Sequence, residues 1–117
     1  MRKVTKEICR AFSQGKSKTI GNTRTDGKAI FLHDNKIIYR DKLGFPVFSL
    51  CGWNTPTTRE RLNGYIEYFT SRSRVGFAQR NFNAVIVGIN KQQKWVEKQI
   101  DKNKVYPFRK LEEIINS

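Results

Sequence analysis

Two cysteines, one histidine and ten carboxylates are all that this chain holds of the side chains that most often do chemistry. Cys9 and Cys51 are too few for a disulfide framework and lack the CxxC spacing of a redox or zinc motif. A zinc site needs three or four nitrogen, sulfur or oxygen ligands, and His33 with two scattered cysteines does not make such a set. The zinc-protease HExxH, the phosphate-loop GxxxxGK and the nucleophile-elbow GxSxG patterns are all missing. Metal-dependent nucleases gather acids, whereas here Glu7, Asp26, Asp34, Asp41, Glu60, Glu67, Glu97, Asp101, Glu112 and Glu113 are strung along the chain. No apolar run approaches the roughly 18 residues of a membrane span. The basic start MRKVTKEICRAF lacks the apolar core of about 7–15 residues that a secretory signal needs. These absences lead to the expectation of a soluble cytoplasmic protein that is not an enzyme, with no cofactor and no membrane contact.

What the chain does have is positive charge. Lys and Arg number 23 against 10 Asp and Glu, a formal net charge of +13. Such an excess repels itself in the folded state, and a polyanion is the partner that would justify keeping it. Eight basic residues fall within residues 1–28, five arginines between Arg59 and Arg80, and seven between Lys91 and Lys110. The cations are interspersed rather than gathered in a tail, which indicates a folded domain with a basic surface. Hydrophobic residues at 38% and aromatics at 12% agree, and 117 residues suffice for one domain and one core.

Val4, Ile8, Ala11 and Phe12 recur at helical spacing over residues 3–14, with Arg2, Lys6 and Arg10 off the stripe and Gly15 as a stop. Ser17 to Thr25 leans towards β structure and closes at Asp26-Gly27, a type I′ hairpin signal. Strands follow at Ala29–Leu32, at Ile37–Tyr39 after a turn at Asp34-Asn35, and at Phe45–Trp53 after a turn around Asp41–Gly44, with Pro46 at a strand start or edge. A helix begins near Pro56, which suits the first helical position after Thr55. Thr57 with Glu60 forms an alternative capping box. Leu62, Tyr65, Ile66 and Phe69 make the helix's apolar stripe, and Gly64 within it implies a close approach. Val75–Arg80 and Ala84–Ile89 read as a hairpin around Asn81–Asn83. The lysine-rich residues 90–105 are read as a helix partly covered at Trp95, Val96 and Ile100, and Pro107 starts a last amphipathic helix. The order αβββαββα gives a single α+β domain, 1–117, with an antiparallel sheet of about five strands and helices on one face.

The start of the second helix is the strongest candidate site. Its amides, the hydroxyls of Thr55, Thr57 and Thr58, and the positive end of the helix dipole favour an anion. Arg59 and Arg61 should straddle that tip, with Thr57, Arg61 and Tyr68 along one edge, and hold a phosphate in a guanidinium fork. Simple capping by the threonines accounts equally well for the same residues. Trp53 could stack on a base, or plug the core at a strand–helix junction. Trp95 among Lys91, Lys94 and Lys98 interleaves an aromatic with cations. Arg72, Arg74 and Arg80 would extend a basic track of sequence-independent phosphate contacts. Nucleic acid, DNA or RNA, is the expected partner, with an acidic host protein as the alternative. Among enzymatic readings, a nuclease using Glu60, Glu67 or His33 is the one this charge would suit.

Two resemblances bear on these residues. The reading of residues 1–70 as αβββα resembles, in topology, the double-stranded-RNA-binding domain, whose second helix meets phosphates with its N-terminus, a role Arg59 and Arg61 would take. The runs GNTRTDGKAIFLHDNKI and SLCGWNTPTTRERLNG, above all W-x-T-x-T-T-R-x-R-L-N from Trp53 to Asn63, resemble small proteins of tailed bacteriophages. That second resemblance covers about residues 8–66 and implies a phage protein in a host bacterial cytoplasm, acting on host machinery.

Overall fold

The computed structural model describes residues 1–70 and 75–117. The first helix, α1 (Lys3–Ser13), buries Ile8, Cys9, Ala11 and Phe12 along its apolar stripe. Gly15, at φ 69°, ends it as expected. The amide of Gly15 donates to the Phe12 carbonyl and that of Lys16 to the Ala11 carbonyl, the paired closure of a Schellman cap. Arg40 adds a cation there, donating to the Phe12 carbonyl at 2.8 Å while its guanidinium lies 3.9 Å above the Phe12 ring.

Five antiparallel strands follow: β1 (Lys18–Ile20), β2 (Thr23–Thr25), β3 (Ala29–Leu32), β4 (Asn35–Arg40) and β5 (Pro46–Ser49). Pro46 opens its strand, where a missing amide does least harm. Two turns differ from expectation. Asp26-Gly27 does not form a type I′ turn, because only Gly27 has a positive φ; the Asp26 carboxylate instead accepts the amides of Lys28 and Ala29. The type I′ pair sits one residue before the expected site, at His33 (φ 49°) and Asp34 (φ 65°), between the paired residues Leu32 and Asn35. His33 is therefore a turn residue.

Helix α2 (Pro56–Thr70) is followed by the hairpin of β6 (Val75–Arg80) and β7 (Asn83–Ile89). Residues 90–105 depart most from the reading above. They form no helix but a strand, β8 (Trp95–Gln99), paired antiparallel with β7. The side chain of Asn90 fixes the turn by accepting the amides of Gln92 and Lys94 at 3.0 Å, and β8 then satisfies backbone groups of β7 that a helix would have left bare. A further short strand, β9 (Val105–Pro107), returns to pair with β5, and Pro107 caps α3 (Phe108–Ile115). The result is a six-stranded sheet, β1-β2-β3-β4-β5-β9, and a three-stranded one, β6-β7-β8. The fold class is α+β as expected, with nine strands among the described residues rather than about five.

Both sheets feed one core. Ile30, Ile38 and Phe48 of the larger sheet and Phe77 and Ile86 of the smaller meet Phe12, Leu62, Ile66, Leu111 and Ile115 of the helices. Gly64 is the close approach expected of it: a Cβ there would stand 2.5 Å from Thr5 Cγ2. Gly64→Ala should therefore lower stability by about 1–3 kcal/mol, the clash outweighing the roughly 1 kcal/mol of helix propensity gained. Urea denaturation reads this directly; a raised midpoint would show that Thr5 moves aside freely.

Candidate nucleic-acid interface

The chain reaches α2 through a tight turn. Cys51 (φ 53°) and Gly52 (φ 80°) reverse the backbone, and the Trp53 amide donates to the Leu50 carbonyl at 2.8 Å. Trp53 emerges 60% exposed, so it does not plug the core. Thr55 is the cap of α2: its hydroxyl oxygen accepts the Thr58 amide at 3.1 Å and lies 2.8 Å from the Thr58 hydroxyl. Pro56 has no N–H, and the Arg59 amide bonds the Thr55 carbonyl. The capping box of Thr57 and Glu60 does not form, because Glu60 is engaged elsewhere. The helix tip is thus closed largely on itself rather than open to an anion.

Arg61 is the second correction. It is 5% exposed and turned inward, not straddling the tip. Its Nε donates to the Thr23 hydroxyl at 3.0 Å and its Nη1 to the Thr5 hydroxyl at 3.1 Å, and it pairs with the Glu60 carboxylate. Thr5 donates in turn to Glu60. This polar knot ties α1, β2 and α2 together. Cys9 lies near it, and burial first, then the Glu60 charge, push its thiol up to about 12, so it stays protonated.

Two hollows flank the first turns of α2. One is an open cleft of about 850 Å³ between α2 and the β6–β7 hairpin, lined by Pro56, Arg59, Glu60, Asn63 and the hairpin from Phe77 to Phe82. Asn63 holds its walls together like a strand partner, accepting the Phe77 amide at 2.7 Å and donating to the Phe77 carbonyl at 2.9 Å. Arg59 donates to the carbonyl and side-chain oxygen of Asn54, both at 2.9 Å. Arg80 pairs with Glu97 at 3.0 Å in a half-exposed bridge that solvent screens. Phe82 stands at the hairpin tip, 91% exposed and at φ 64°, a position that favours glycine. An exposed aromatic ring in strained backbone is costly twice over, and the sequence reading did not single it out.

The other hollow, about 480 Å³, lies on the far flank. Trp53, Thr55, Thr57 and Thr58 line it as the sequence suggested, joined by Leu32, His33, Asn35, Ile37 and Leu50 from the larger sheet. Thr58 is itself 2% exposed and its hydroxyl lies against that of Thr55, so Thr57 is the threonine of this hollow whose hydroxyl has no hydrogen-bond partner among the described residues.

The remaining candidates are dispersed. Trp95 shares the outer face of the small sheet with Ile89, and its indole N–H donates to Glu97 at 3.0 Å; that bond and Arg80 hold the Glu97 carboxyl below its usual range. Strand alternation puts Lys98 on the opposite face from Trp95, so the expected interleaving is lost. Lys91 and Lys94 lie exposed at the end of β7 away from Arg80, about 20 Å along the strand. Arg72 and Arg74 fall outside the described residues. A second cationic surface lies on α1, where Lys6 and Arg10, off the apolar stripe as expected, join Lys3 on the exposed side and are followed by Lys16 and Lys18. Among the described residues four basic side chains, Arg24, Arg61, Arg80 and Lys110, pair with a carboxylate, so most of the charge faces solvent.

The family model of the Kyanoviridae Gp96 protein matches residues 1–107. The chain belongs to that family. The match makes it a phage protein and spans every element from α1 through β9, including both hollows. No curated protein and no solved structure matches this Gp96-family chain. The topology does not carry the analogy with double-stranded-RNA-binding domains, because five strands, not three, separate α1 from α2. No helix among the described residues is long and apolar enough to cross a membrane.

Proposed function

We propose that this phage protein binds nucleic acid without processing it, through the surface on either side of the start of α2. The observation that carries the reading is the open cleft itself: Arg59 and Arg80, far apart in sequence, line one groove with a bare Phe82 at its rim. Guanidinium groups suit phosphates, and an exposed ring beside them suits a base. The reading departs from the sequence-based one in its anchor: the phosphate contacts come from the cleft and the exposed cations, not from the tip of the helix. An acidic host protein would answer the same net charge, but two exposed aromatics, Trp53 and Phe82, flanking the arginines favour bases over carboxylates.

The test is a double variant, Arg59→Ala with Arg80→Ala, titrated against fluorescent oligonucleotides at low salt. Affinity should fall about tenfold with the melting temperature within about 4 °C of wild type, because neither side chain joins the core. Wild-type affinity in that variant would remove the cleft from the interface.

A further inference from the structure

We infer that the hollow beneath Trp53 receives one unstacked nucleobase, and that the ligand is therefore single-stranded; this rests on the nucleic-acid reading above and names the substrate class for it. Three features point to a base. The floor is apolar, built from Leu32, Ile37 and Leu50, each at most 4% exposed, and Trp53 rises beside it with its ring 60% open to solvent. The lining holds no Asp, Glu, Lys or Arg, whereas the cleft on the other flank of α2 holds Arg59 and Arg80, with Glu60 answered by Arg61. A neutral, aromatic-walled hollow on one flank and a cationic cleft on the other suit a strand that crosses the start of α2, with a base in the first and backbone phosphates in the second. The rim also carries groups that can read a base edge. The Asn35 amide and the Thr57 hydroxyl make no hydrogen bond among the described residues, and His33 meets only Asn22 through its Nε2.

The volume fits. At about 480 Å³ the hollow lies within the usual range of small-ligand pockets, roomy enough for a base and its sugar and too small for a stacked pair of strands. A base held in a duplex is stacked and paired on both sides and cannot enter without being flipped out, whereas a single strand splays its bases freely. Trp53 then supplies a stacking face that accepts any base, with Asn35 and Thr57 biasing which.

The test uses Trp95→Phe protein, so that Trp53 is the one tryptophan, with three probes of equal length at low salt: a thymidine dodecamer, an abasic phosphodiester strand and a thymidine–adenosine duplex. The inference expects the dodecamer to quench Trp53 emission and to bind about tenfold more tightly than the abasic strand or the duplex. Trp53→Ala should abolish that preference and Trp53→Phe should keep it, with circular dichroism unchanged in both. If the abasic strand or the duplex binds as tightly as the dodecamer and Trp53 emission stays still, the base-pocket inference is overturned while nucleic-acid binding stands. If no probe binds at all, the proposed function falls and takes this inference with it.

Discussion

Arg61→Ala should cost about 3 kcal/mol of stability and lower the melting temperature by about 10 °C. The side chain is almost wholly buried and bonds Thr5, Thr23 and Glu60, so its loss leaves two hydroxyl oxygens without their donor and Glu60 without its counter-charge, held by Thr5 alone. Glu60 keeps partial access to solvent, which holds the effect near the lower end of what breaking a buried pair can cost. Arg59, two residues earlier, is the control. Its half-buried side chain bonds Asn54 alone among the described residues and ties no second element to α2, so Arg59→Ala should leave the transition within about 4 °C of wild type. Thermal unfolding of the two variants side by side checks this. Equal melting temperatures would mean the polar knot contributes nothing to holding α1, β2 and α2 together.

The contrast between these neighbouring arginines shows where the sequence was legible. Helix ends were, because their chemistry is local: Gly15 closes α1, and Thr55 and Pro56 open α2, through bonds to residues within a few positions. The apolar stripes were too, since Leu62, Tyr65 and Ile66 repeat at helical spacing and all are buried. Arg61 was misread because nothing local separates a solvated arginine from one answered by Thr5 and Thr23, 56 and 38 residues away. Residues 95–99 were misread for a similar reason. Lysines in the stretch lean towards helix, and what overrides them and makes a strand there is the waiting edge of β7. Of the site, Trp53, Thr57, Arg59 and Arg80 were visible as residue types. Phe82 and Asn35 were not, and His33 stood out only as a nuclease candidate, because all three reach the hollows from hairpin turns that only the strand topology brings alongside α2.

The second large effect concerns affinity. A protein that neutralises phosphates releases their condensed counterions, so its binding weakens steeply and predictably as salt rises. With a net charge of +13 and most cations facing solvent, an engagement of about six phosphates is well within what the surface offers. Between 50 and 200 mM salt that engagement predicts a loss of roughly 300-fold on a single strand, or about 10³-fold on a duplex. The double variant lacking Arg59 and Arg80 should show a shallower slope, by about 1 to 2 on logarithmic axes.

That salt titration, followed by fluorescence anisotropy on a labelled single strand, is the most direct measurement of whether this surface grips a polyanion. A log–log line falling by at least two decades across the range is the predicted result. Binding that is absent at 50 mM, or that changes less than about threefold by 200 mM, would contradict it.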